Sequence, residues 1–274
     1  MRPTACAVLL SLVLAAPVSA QGPDTTAHDK TFLTRRDLAI GGIALGATAL
    51  LSHWDTDIAK ASQKSRYQSD NLHNLALKIS KVNETSLTLG GIAVYGIARL
   101  SGQRTVTDVA LHATESVVLS SLTSQLIRGP LGRMRPYKSH DTNQYDFKLG
   151  GGFVGSDTNS SFDRRAFPSI HTSSSMAVAT VLVMEMNRRG VSATPYVAPL
   201  IFAAGMLPGL ARIQLDQHWA SDVAAGAFMG VFTGYKVVSY SHDHPNNWFD
   251  RTLLRGSVAP DPQGGMRVGF GADF

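Results

Sequence analysis

The sequence predicts an all-α protein, a helical bundle with a long polar loop between its first and second chemically loaded motifs. Three observations lead there. Apolar segments of helical length recur along the chain, and hardly any stretch alternates apolar and polar residues as a strand would. Only 16% of the 274 residues are charged, against about 25% in an average soluble protein. Mean hydropathy is +0.01, which is apolar for a soluble chain yet more polar than a protein built mostly of membrane spans. The length suits one large domain or two small ones. A formal net charge of +5, without long Lys/Arg runs or interleaved aromatics, fits an anionic substrate or a membrane surface and gives no support for a nucleic-acid partner.

The elements follow in order. Arg2 precedes an apolar run from Ala5 to Ala16, and Val18-Ser19-Ala20 before Gln21 has the small-x-small form of a signal peptidase site. The chain's single cysteine, Cys6, falls in the piece that would be removed, so the mature protein is expected to have no disulfide, thiol nucleophile or cysteine metal site. Residues 21–36 form a polar leader. Leu38–Leu51 is apolar and rich in Gly and Ala, and at 14 residues it falls short of the roughly 20 that span a bilayer straight, so a buried helix with small-residue contacts is expected. A polar stretch from Trp54 to Asn83 carries a helical pattern at Leu72, Leu75, Ala76 and Ile79.

Leu87–Leu100 is a second apolar, Gly-containing segment. Val106–Ile127 predicts a long helix made amphipathic by Asp108, His112 and Glu115. A polar loop spans Tyr137 to Phe167, Ser169 opens a helix to about Met186, Ala198–Leu210 forms another apolar segment, and Pro208-Gly209 is expected to break it. Ser221–Tyr240 is the last long helix. The tail beyond it carries Pro245, Pro260 and Pro262, and its end alternates enough for a short strand from Met266.

Three clusters carry chemistry. The first is Arg128-Gly-Pro-Leu-Gly-Arg-Met-Arg135-Pro136, whose guanidiniums offer planar forks suited to phosphate oxygens; neutralisation of a helix C-terminus would account for such a cluster equally well. The second is Pro168-Ser169-Ile170-His171. A Pro-Ser helix start aims backbone N–H groups and a hydroxyl at an anion. The third runs from Ala211 to Asp222 and holds Arg212, His218 and Asp222. With a helix from Gln217 onward, His218 and Asp222 share a face at i,i+4, where the carboxylate can hold one imidazole nitrogen and leave the other as nucleophile or base; a surface hydrogen bond or half of a metal site has the same spacing.

Together the three resemble the signature of the type 2 phosphatidic acid phosphatase superfamily, which includes bacterial nonspecific acid phosphatases and vanadium haloperoxidases. Arg128-x6-Arg135-Pro136 is similar to the family's Lys-x6-Arg-Pro, with Arg for Lys. Pro168-Ser169-Ile170-His171 is similar to Pro-Ser-Gly-His, with Ile for Gly. Ala211-Arg212-x5-His218-x3-Asp222 is similar to Ser-Arg-x5-His-x3-Asp, with Ala for Ser. The likeness covers Arg128 to Asp222, about a third of the chain; nothing before Val106 carries a motif.

The resemblance implies a metal-independent phosphatase that acts through a phosphohistidine, with no cofactor and no metal. His218 is then the nucleophile, Asp222 its orienter and His171 the acid that protonates the leaving alcohol. Arg128, Arg135, Ser169 and Arg212 hold the phosphoryl oxygens. The implied substrate is a phosphorylated lipid, an isoprenyl diphosphate or a small phosphate ester. The signal peptide and the short apolar segments fit an exported, periplasmic or cell-envelope protein, either free in the periplasm or associated with the inner membrane with its site facing the periplasm. The expected layout is a signal peptide at 1–20, a leader at 21–36, a helical phosphatase domain at 37–240 with its motif core at 106–240, and an irregular tail at 241–274. The rivals are a vanadate-dependent haloperoxidase and a noncatalytic envelope protein binding a phosphorylated ligand. Oligomeric state is not legible in the sequence.

Overall fold

The computed structural model describes residues 32–154, 160–244 and 247–253, with the backbone of 256–260 and 266–270. The expected signal peptide and most of the leader lie outside them. The chain folds as a helical bundle in the order α1 (Arg35–Ser52), α2 (Asp55–Ser62), α3 (Asp70–Ile79), α4 (Glu84–Leu100), α5 (Arg104–Leu131), α6 (Pro136–Ser139), α7 (Ile170–Arg188), α8 (Thr194–Gln214), α9 (Ala220–Asp243) and α10 (Trp248–Leu253). The tail adds an antiparallel hairpin, β1 (Gly256–Pro260) paired with β2 (Met266–Phe270). A strand from Met266 was expected; its partner and α10 were not.

α7 is the central helix, packed by α5, α8 and α9, while α4 lies on α5 and α1 on α9. Close approach of α9 to α7 depends on a glycine ridge. A Cβ added at Gly226, Gly230 or Gly234 would meet the Ser169, Ser173 or Ala177 carbonyl at 2.4, 2.3 or 2.8 Å. Small residues at every fourth position let two helix backbones touch. On its other side α7 meets α5 through hydroxyls. Ser124 and Ser173 lie 3.1 Å apart, as do Ser121 and Ser174.

Several helices have their polarity turned inside out. On α1 the buried residues are Asp37 and Thr48, whereas Leu38, Ile43 and Leu45 are 71%, 73% and 65% exposed. α5 buries His112, Ser116, Ser120 and Ser124 and exposes Val118, Leu122 and Leu126. The expectation of a buried α1 with small-residue contacts is therefore corrected: among the described residues a Cβ at Gly41, Gly42 or Gly46 would meet nothing within 4 Å. What docks α1 is the ion pair from Lys236 of α9 to Asp37, 2.8 Å.

Three helix ends also differ from expectation. α8 runs through Pro208 and Gly209 to Gln214. Its neighbours pack closely along this stretch: the Ser175 hydroxyl donates to the Gly205 carbonyl at 2.6 Å and Gly209 is wedged against Thr172 and Val223. Packing against neighbouring helices lets a helix continue through Pro and Gly that would end it in water. α5 likewise passes Gly129 and Pro130 and stops at Gly132, in the left-handed region at φ 58°. α9 begins at Ala220, after His218.

Candidate active site

Four helix ends and one loop meet at one end of the bundle. α5 contributes Arg128 from its last turn, α8 contributes Arg212 from its last turn, and α7 opens with Ser169 as N-cap and His171 in its first turn. The segment before α9 carries His218, and the segment joining α5 to α6 carries Arg135. Two helix N-termini thus aim their positive ends at the place where three arginines gather.

The arginines are held by neutral oxygens. One carbonyl, that of Arg165, accepts from Nε and Nη2 of Arg128 and, at 3.4 Å, from Nη2 of Arg135. Arg135 donates further to the Phe162 carbonyl at 3.0 Å and the Gln217 carbonyl at 2.8 Å, with its guanidinium 4.1 Å above the Phe162 ring. Gln217 Oε1 accepts from Arg212 Nη2 at 3.1 Å. Among the described residues none of the three arginines has a carboxylate within ion-pair distance. Burial, helped by Arg128 and Arg212, pulls the Arg135 pKa down to about 9. Buried positive charge without a counter-charge is costly, and an anion in their midst would relieve it.

His218 is 1% exposed, and among the described residues neither ring nitrogen has a hydrogen-bond partner. Burial, then the charges of Arg135, Arg212, Arg128 and His171, hold its pKa well below the usual histidine value. It therefore stays neutral, the form in which a ring nitrogen can attack an electrophile. His171 Nδ1 and Arg212 Nε are also buried and unpartnered. Buried polar atoms are nearly always satisfied, so four unsatisfied nitrogens in one pocket mark a place shaped for a ligand.

Asp222 does not stand on a shared helical face with His218. The helix starts at Ala220, and Asp222 sits in its first turn with Oδ2 accepting from the Trp219 N–H at 2.8 Å, which turns the chain so that His218 leaves the helix axis. His218 Nδ1 lies 3.5 Å from the same oxygen. The carboxylate's other oxygen takes Arg133 Nη1 at 2.5 Å. Ser169 is fully buried, and its hydroxyl accepts from Thr172 Oγ1 at 3.0 Å rather than capping α7.

The structure adds residues the motifs did not name. Arg133 spends all its donors internally, on Asp222, on Asp55 Oδ2 at 2.7 Å, on the Ser221 hydroxyl at 2.8 Å and on the Gln144 carbonyl. Asp55, at the start of α2, also accepts from the Ser221 N–H at 2.8 Å and from its hydroxyl. Arg133 stands in the basic cluster, but only the fold separates it from the two arginines that face the histidines. For Asp55 the sequence holds no signal. Glu84, in the first turn of α4, bears electrostatically on Arg128 and Arg212 and opens a cleft of about 280 Å³ between α4 and α5, lined by Leu89, Val118 and Leu122.

Comparison with known proteins bears on the family and the fold. The profile of the PAP2 superfamily matches residues 109–245. A lipid A 1-phosphatase of Rhizobium etli is 26% identical over 137 residues, 50% of this chain and 52% of that protein. A lipid A 1-phosphatase of Porphyromonas gingivalis is 33% identical over 69 residues, 25% of this chain and 15% of that one. The chain thus spans about half or less of the curated relatives it matches. The crystal structure of a transmembrane PAP2-type phosphatidylglycerolphosphate phosphatase from Bacillus subtilis superposes with a TM-score of 0.54 at 18% identity, over 77% of this chain and 98% of that one.

Proposed function

The chain belongs to the PAP2 superfamily, and from that premise we propose that it is a membrane-embedded phosphatase that removes a phosphate from a lipid through a phosphohistidine. The observation that carries the reading is the pocket of three arginines without carboxylate partners around the unpartnered, neutral His218. Phosphoryl transfer asks for positioning and for cations against three equatorial oxygens. Arg128, Arg135 and Arg212 supply the cations, and the first-turn N–H groups of α7 add donors. His218 attacks phosphorus, His171 protonates the leaving alcohol and then activates water, and Asp222 steadies His218. General acid assistance is worth about 10²–10⁴ in rate.

A lipid substrate is supported by two features besides the relatives named lipid A 1-phosphatases. The apolar cleft between α4 and α5 adjoins the arginines through Glu84 and is suited to an acyl chain. The inside-out polarity of α1 and α5 puts leucines and isoleucines where only hydrocarbon would welcome them. α1 has 18 residues and α4 17, about 25–27 Å at 1.5 Å each, close to the roughly 30 Å of a bilayer's core. α8 alone among the described helices meets both the length and the composition of a span. With an N-terminal signal peptide, the reading includes a periplasm-facing site.

The test is turnover of a phosphorylated lipid, with p-nitrophenyl phosphate as the soluble comparison. Wild type is expected to release inorganic phosphate, vanadate to inhibit as a five-coordinate mimic, and His218→Ala to lose activity while keeping its melting profile. Near-full activity in His218→Ala, or indifference to vanadate, would sink the reading. Resistance to carbonate extraction of membranes checks the embedding.

A further inference from the structure

The far end of the bundle holds a second constellation. α5, α7 and α9 bring His112, Glu185 and His242 together, their candidate ligand atoms all within 4.8 Å of one another. Glu185 Oε1 lies 2.8 Å from His112 Nδ1 and 2.9 Å from His242 Nε2. His112 and Glu185 are 3% and 1% exposed, whereas the His242 side chain, at 34%, forms the rim. Arg128, Ser169 and His218 stand at or just before the opposite ends of α5, α7 and α9, so the constellation is separate from the arginine pocket.

We propose that His112, Glu185 and His242 form a binding site for a divalent transition metal of the zinc class. Two imidazoles and a carboxylate are a ligand set that zinc takes, with water in the fourth position. The surroundings favour a cation. Three carboxylates meet there, those of Glu185, Glu115 and Asp250, against one guanidinium, Arg189, whose Nη2 is 3.2 Å from Glu185 Oε2. Glu115 Oε1 is buried without a hydrogen-bond partner, as is His112 Nε2.

Outer contacts are arranged as metal sites arrange them. With His112 Nδ1 turned to the ion, its Nε2 faces Asp250 Oδ1 at 4.0 Å, and a carboxylate behind a ligating imidazole fixes its tautomer and raises its basicity. Arg189 holds the carboxylate oxygen that faces away. Ligand atoms around a tetrahedral zinc stand about 3.3 Å apart, given metal–ligand bonds near 2.0–2.1 Å. Glu185 therefore withdraws by about half an ångström as the ion displaces the two imidazole protons it now accepts. His242 at the rim gives the entry path. Bound metal ties the ends of three helices together.

The experiment uses the purified full chain in detergent, stripped with a chelator and titrated with Zn²⁺ against a chromophoric competitor, and with Co²⁺ for visible absorbance. The expected result is one saturable Zn²⁺ per chain and a tetrahedral Co²⁺ band. His242→Ala, a rim change that keeps the buried pair, is expected to weaken Zn²⁺ at least tenfold and abolish the band; His112→Gln should do the same. His218→Ala should bind as wild type. Absence of stoichiometric Zn²⁺ in wild type overturns the proposal, as does full binding in His242→Ala or loss in His218→Ala, which would assign the ion to the arginine pocket.

Discussion

Arg133 grips Asp222 by the oxygen that His218 does not approach: Nη1 stands 2.5 Å from Oδ1, while His218 Nδ1 stands 3.5 Å from Oδ2. The same guanidinium reaches Asp55 at 2.7 Å, so α2 braces the start of α9 through one side chain. Asp55→Asn keeps a neutral oxygen for Ser221 but weakens the hold on Arg133 and lets Asp222 drift. A misplacement of about 1 Å costs on the order of 10² in rate. Asp55→Asn is therefore expected to lower kcat by about that factor with KM nearly unchanged, and a KM effect alone would contradict a positioning role. Arg133→Ala leaves two buried carboxylates without a cation, which costs about 3–5 kcal/mol and should show first as a lower Tm.

Arg212 carries a buried Nε that has no hydrogen-bond partner among the described residues, and the proposed function sets it against the phosphoryl oxygens. Arg212→Ala removes a cation from the equatorial oxygens, a loss of about 10²–10³ in kcat/KM by analogy with a deleted oxyanion donor. Arg212→Lys keeps the charge without the fork and should recover only part of it. Inhibition by inorganic phosphate and vanadate should weaken in parallel. Unchanged inhibition constants would place Arg212 outside the pocket.

Much of this was legible in the sequence because the chemistry is local. Each motif packs its candidate residues within a dozen positions, and helix periodicity around them is strong. The bundle and its long loop followed from the apolar segments. What failed was what depends on the medium and on distant partners. α1 is exposed because its apolar face meets no protein among the described residues, and composition alone does not distinguish a core from a bilayer. Pro208-Gly209 reads as a break in water, and α7 repairs it. Asp55 lies 167 residues before Asp222, and no local pattern couples them. His112, Glu185 and His242 are likewise ordinary in their own helices, and only the fold unites them.

His218 sits in the segment between α8 and α9, and its pKa is depressed by burial first and by the arginines next. The unfolded chain takes up a proton below about pH 6.5 that the native pocket refuses. Stability is thus full above that pH and declines as pH falls toward the depressed native value. The decline approaches about 1.4 kcal/mol per pH unit. Between pH 7.5 and 5.5 wild type should lose about 1.4 kcal/mol more than His218→Gln, measured by denaturant unfolding at both pH values. Parallel losses in the two proteins would show that His218 is not the group responsible.

Gly230 and Gly46 make a matched pair for the packing argument. Both are mid-helix glycines, and in an isolated helix alanine would gain about 0.8–1.0 kcal/mol at either. At Gly46 a Cβ meets nothing within 4 Å; at Gly230 it meets the Ser173 carbonyl at 2.3 Å and the Met176 Cβ at 2.8 Å. Neither the α7 backbone nor a buried Cβ can swing aside as a flexible side chain would, so α9 must separate from α7. Overpacking of this kind costs about 1–3 kcal/mol. Gly46→Ala should therefore leave Tm unchanged or raise it, while Gly230→Ala should lower it. Because Ser173 lies two residues from His171, Gly230→Ala should also depress activity below what its loss of stability explains at a temperature where the variant stays folded. Equal Tm values for the two variants would mean that α9 does not pack on α7 through its glycine ridge.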